Sequence, residues 1–184
     1  MMPFVSAMLA RDAAAGAGYS ETGNLGTSGT PTTTYSTDAN YKSAIIVTVP
    51  AGGVYAKRLV LTHYTTGAGT KARAIVFSGT TSAATLTKAG IDTTLAGLTD
   101  PGTPNPGVDI DFWFNSDHSA IFLAAGDYMI GVHTDANIGV SSAGAGTTYW
   151  SSDTFSDGTA SPFGSLGSTG RPMKLRMPYS VTGP

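Results

Sequence analysis

Few groups in this chain can do chemistry: three histidines, one glutamate, a scatter of aspartates and no cysteine. His133 and Asp135 stand two apart in LAAGDYMIGVHTDANIGV (123–140), with Asp127 in the turn before them. Residues two apart in a strand share a face, so the pair offers two ligands of a zinc or iron site. No third ligand is indicated nearby, and the expectation is an exposed polar pair on the solvent side of the strand. His63 and His118 are remote in sequence.

Asp109 and Asp111 in VDID repeat this spacing with two carboxylates, the pairing that glycoside hydrolysis uses. Alternation with Val108, Ile110 and Phe112 reads more simply as the solvated face of a strand. In DTFSDG, Asp153 and Asp157 precede Gly158 in the outline of a calcium loop, but the alternating carboxylates and closing glutamate of an EF-hand are missing. A bound calcium and an ordinary Asx-turn are both compatible with residues 153–158. The clusters GAGT and GNLGTSG lack the GK[ST] ending of a phosphate loop. Tyr149 and Trp150, beside a polar loop, offer a sugar-stacking platform, with aromatics at the rim of a core as the plainer alternative. No residue set specifies a catalytic, metal or cofactor site, and the expectation is a protein that is not an enzyme and carries no cofactor.

Without cysteine, disulfides and thiolate chemistry are excluded. Charged residues make up 12% of the 184 residues, about half the usual share, and the net charge of −2 is spread without runs. That argues against nucleic acid, which needs a basic stripe, and against electrostatic binding to a membrane. No apolar run approaches the roughly 20 residues of a membrane-spanning helix. The start, MMPFVSAMLARDAAAGAG, lacks the basic flank of a signal peptide.

These residues have to be positioned by short strands. Residues 1–38 begin with the apolar patch Phe4, Val5, Met8 and Leu9 and continue into Gly, Thr and Ser without periodicity. They read as an extended N-terminal arm whose tip seeks a partner. From Tyr41 the period becomes two. Ile45, Val47 and Val49 share one face; Tyr55, Leu59 and Leu61 share another; Val108, Ile110, Phe112 and Phe114 face inward; Tyr128, Ile130 and Val132 do likewise. The stretch 79–107 reads as loop with a strand fragment, and RPMKLRMPYSV closes the chain as a strand with Met173, Leu175, Met177 and Tyr179 alternating. About eight short strands without a core helix predict an all-β, antiparallel jelly-roll-like sandwich over 39–184.

Three stretches carry a resemblance. LAAGDYMIGVHTD (123–135), YWSSDTFSDGTASPFG (149–164) and MKLRMPYSV (173–181) are similar, in that order, to a pattern recurrent in tailed-bacteriophage virion proteins. The resemblance implies a jelly-roll-like sandwich, no catalytic residues, and a place on the capsid exterior of a virion. The expected role is that of a capsid decoration (cement) protein, a homo-oligomer and most simply a trimer, that binds the major capsid protein through the arm residues Phe4, Val5, Met8 and Leu9. The competing expectation is a carbohydrate-binding or receptor-recognition module of a head fibre or tail tip, contacting a host surface glycan through Tyr149 and Trp150.

Overall fold

The computed structural model describes residues 18–27, 29–99 and 107–183. The patch Phe4, Val5, Met8 and Leu9 lies outside them. Strands follow in the order β1 (Gly23–Gly26), β2 (Thr33–Thr37), β3 (Tyr41–Val49), β4 (Val54–Ala56), β5 (Arg58–Thr66), β6 (Lys71–Ser78), β7 (Thr85–Ala89), β8 (Thr93–Thr94), β9 (Val108–Trp113), β10 (Ile121–Leu123), β11 (Gly126–Thr134), β12 (Ile138–Ser142), β13 (Thr148–Ser152), β14 (Gly167–Thr169) and β15 (Leu175–Ser180). They form two antiparallel sheets packed face to face. The first runs β10-β4-β15-β5-β12-β2, with β1 on β15 and β9 on β5; the second runs β14-β13-β3-β11-β6-β7, with β8 on β6. The only helical element among the described residues is a single 3-10 turn, Phe155–Asp157.

Alternation places the core. Ile45, Val47 and Val49 of β3, Ala72, Ala74 and Val76 of β6, and Tyr128, Ile130 and Val132 of β11 meet Leu59, Leu61, Phe112, Leu175 and Met177 of the other sheet in one buried cluster. The opposite face of the second sheet is buried as well. Ala44, Ile75, Phe77 and Met129 form a second cluster there with Ala84 and Phe163, beneath the loop that follows β13. At Gly131, in the middle of β11, a Cβ would run into the backbone of Ser43 and Ala44. Glycine is what lets β3 and β11 approach so closely.

Four expectations need correction. The arm does not extend to residue 38: Gly23–Gly26 pairs with Arg176–Tyr179, and Thr33–Thr37 pairs with Ile138–Ser142, so both segments are sheet edges. Backbone pairing with preformed strands orders a sequence whose own side chains would not. The count of about eight is too low, because the arm and the stretch 79–107 each contribute two strands, the excursion after β12 contributes β13 and β14, and the strand expected over 54–64 divides at Lys57. That division also breaks the face shared by Tyr55 with Leu59 and Leu61. Val54 and Ala56 point inward before Lys57, and Leu59 and Leu61 after it. One extra residue reverses the parity of a strand, and Tyr55 is left outside, its ring 5.0 Å from Phe122. Val108, expected inward, is 51% exposed at the start of β9, whereas Phe112 and Phe114 are buried as expected.

Candidate functional site

The exposed pair expected at His133 and Asp135 is not what the structure contains. His133 is fully buried on the outer face of β11. Its Nε2 lies 2.8 Å from the Asp153 carbonyl, its Nδ1 3.1 Å from the Thr159 hydroxyl, and its ring meets Phe155 edge-on. The Nε2 contact to a carbonyl fixes the tautomer: Nε2 donates and Nδ1 accepts from Thr159. Burial pushes the imidazole below its ordinary value, against the opposing pull of the Asp153 carbonyl and carboxylate. Asp135 lies beyond the strand end, where its carboxylate accepts from the Lys71 amide at 2.8 Å. The two residues therefore do not converge.

Beside His133 lies a residue that sequence reading missed. Lys42 of β3 is 2% exposed, and its ammonium meets three acceptors: Ala160 O at 3.1 Å, Pro162 O at 3.3 Å and Asp153 Oδ2 at 3.4 Å. The rings of Phe77 and Phe163 flank it at 5.5 and 5.4 Å. Asp153 Oδ2 also accepts from the Ala160 amide at 2.8 Å. An ammonium with all three protons placed, facing a carboxylate inside a loop, is a fastener. It holds DTFSDGTASPFG across the outer face of the sheet. The carboxylate that the calcium outline required is thus committed to Lys42. The available signal was a lysine at the second position of a largely apolar strand, in YKSAIIVTV.

The carboxylates of VDID are each matched to a cation. Asp109 accepts from the Thr62 hydroxyl at 2.5 Å and from Arg176 at 2.9 Å; Asp111 lies 3.2 Å from Arg58, which also meets Glu21 at 2.8 Å. Burial pushes the Asp109 carboxyl up, but Thr62 and Arg176 outweigh it and hold the group below its ordinary value. The pair is therefore two ion pairs on an exposed sheet face. His63 is buried against the Val108 carbonyl, and His118 stacks on Trp113 at 3.8 Å. Among the described residues no three metal-ligating side chains gather.

Tyr149 and Trp150 are consecutive in β13 and point to opposite faces, so they do not form one platform. Tyr149 packs on the second cluster. Trp150 faces the rim between the sheets, where its indole fits against Gly167 so closely that a Cβ there would overlap it. It lines a cleft of about 330 Å³ with Tyr35, Asp38, Tyr41, Ser43 and Arg171. The floor is rigid. Thr148 Oγ1 donates to Arg171 O at 2.9 Å, accepts from Met173 N at 2.9 Å, and accepts from the Tyr35 hydroxyl at 2.8 Å. Burial raises the Tyr35 phenol well above its ordinary value, so it stays a donor.

A second feature lies on the flank. β13 pairs with β3 only over residues 41–45. Gly79 N donates to Asp127 O, which turns odd-numbered residues of β11 toward β6 and even-numbered ones toward β3. Through the register Tyr128↔Val47, the main-chain groups of Ile46 and Thr48 then face away from β11, into a groove of about 650 Å³. Leu25 and Gly26 of β1 form the far wall, and Ile45 and Val47 of the core lie at its floor. Among the described residues no strand covers this edge.

No family model, no curated protein and no solved structure matches the chain.

Proposed function

We propose that this chain is a non-enzymatic bacteriophage virion structural protein, a capsid decoration protein that binds the major capsid protein on the outside of the head as a homo-oligomer. The observation that carries this reading is the open edge of β3. Folded proteins shield strand edges because unpaired N–H and C=O groups template pairing with another chain. Here the edge at Ile46 and Thr48 is continuous with an apolar floor, which suits an extended segment of a shell subunit added as a strand. The resemblance of 123–135, 149–164 and 173–181 to virion sandwiches agrees with it. His133 and Asp153 of those stretches, with Lys42 of β3, act as fasteners of the fold, which suits a static shell component. The test is co-sedimentation of the purified protein with heads lacking it. Wild type is expected to bind at saturating stoichiometry; Thr48→Val, which loses the hydroxyl that donates to Asp127 Oδ1 at 2.6 Å, is expected to bind like wild type, and Thr48→Pro, which also removes a main-chain N–H without a partner among the described residues, is expected to lose binding while remaining folded.

A recognition module of a head fibre or tail tip is the second reading, favoured by the aromatic cleft at Trp150.

A further inference from the structure

Arg171, Asp38, Tyr41 and Trp150 line one cleft, and none of their side chains has a hydrogen-bonding or ionic partner among the described residues. The other arginines among the described residues, Arg58, Arg73 and Arg176, each meet a carboxylate. A guanidinium and a carboxylate that share a cleft yet do not pair leave a donor fork and an acceptor open. Around them stand Trp150, Tyr35 and Tyr41, over a floor fixed by Thr148.

We propose that this cleft binds a neutral saccharide residue. The inference rests on the recognition reading above. Vicinal hydroxyls are donors and acceptors at once, so one sugar edge can donate two hydrogen bonds to the Asp38 carboxylate while another accepts from Arg171. The C–H face of the ring lies on an aromatic surface, as amphipathic ligands do. The opposed charges select against a net charge. An acidic sugar is repelled by Asp38 and a cationic one by Arg171, whereas an apolar ligand would leave both ions dehydrated and unpaired. The volume of about 330 Å³ is at the small end of the range for ligand pockets, which suits a single residue or a chain terminus over an internal stretch of polymer.

The experiment uses the full chain in a Trp113→Phe background, which leaves Trp150 as the sole tryptophan. Its fluorescence is titrated with neutral glycans, sialylated and uronic glycans, and free zwitterionic amino acids, and the same protein is applied to a glycan array. Neutral glycans are expected to shift the Trp150 emission saturably, and Asp38→Asn and Arg171→Ala are each expected to weaken binding at least about tenfold. On the array, the wild-type chain and Trp150→Ala are expected to differ. Binding of acidic glycans alone, or of zwitterions alone, overturns the neutral-sugar assignment; the acidic result leaves the recognition reading standing. Neutral binding that ignores all three substitutions places the site elsewhere and overturns the proposal only. Silence across the whole panel overturns both.

Discussion

Lys42→Met tests whether the loop after β13 is fastened as described. Methionine keeps most of the stem between Phe77 and Phe163 but removes the ammonium, leaving Ala160 O, Pro162 O and Asp153 Oδ2 without the donor each now has. Removing one partner of a buried ion pair costs about 3–5 kcal/mol. Asp153 keeps the Ala160 amide and is 10% exposed, and the loop can lift to hydrate its two carbonyls, so the expected loss is at the lower end, about 3 kcal/mol. For a chain of this size that lowers Tm by roughly 6–12 °C. Calorimetry reads the shift. Hydrogen exchange locates it at the amides of Ala160, Phe163 and Gly164, which bond to Asp153, Ala84 and Ser82. A Tm within about 2 °C of wild type, with unchanged exchange at those amides, would refute the fastening argument.

Acidification acts through His133. Because the folded chain holds its imidazole below the ordinary value, the unfolded chain takes up a proton first. Stability is therefore full above about pH 6.5, falls as pH drops through that value, and levels off below the folded pKa. Urea midpoints at pH 7.5 and 5.0 are expected to differ, and His133→Gln should reduce the difference, leaving the part due to His63, which shifts in the same direction. Gly131→Ala is expected to destabilise severely, by about 3 kcal/mol or more, because the new methyl meets backbone; recovery of a normally folded protein by circular dichroism and calorimetry would contradict this. Ile46→Lys, at a position already 38% exposed, is expected to leave Tm within about 2 °C while abolishing attachment to heads, as read by co-sedimentation.

The sheets were legible in the sequence wherever one face meets the other sheet and alternation is strict, as in Ile45-Val47-Val49 and Tyr128-Ile130-Val132. Legibility failed where a strand is buried on both sides. His133 alternates with apolar neighbours like a solvent-facing residue, and only the distant segment 153–164 turns that face into an interior. Periodicity reports local geometry and carries no record of what folds over it. The strands at 23–26 and 33–37 were illegible for a related reason, since they are held by ladder bonds to β15 and β12 and not by their own side chains. Of the candidate site, Trp150 was found as an aromatic beside a polar loop. Its partners Tyr35, Asp38 and Arg171 come from opposite ends of the chain and meet only through the sandwich. The reversal at Lys57 left no mark except the adjacent Lys57 and Arg58 in an otherwise apolar run.

The central claim is attachment to a capsid through the open edge of β3. Heads assembled from the major capsid protein, mixed with the purified chain and sedimented, test it most directly. The account predicts that wild type pellets with heads at a fixed ratio to the shell subunit and that Thr48→Pro, folded by circular dichroism, stays in the supernatant. Wild-type protein left in the supernatant, or Thr48→Pro bound as well as wild type, would contradict it.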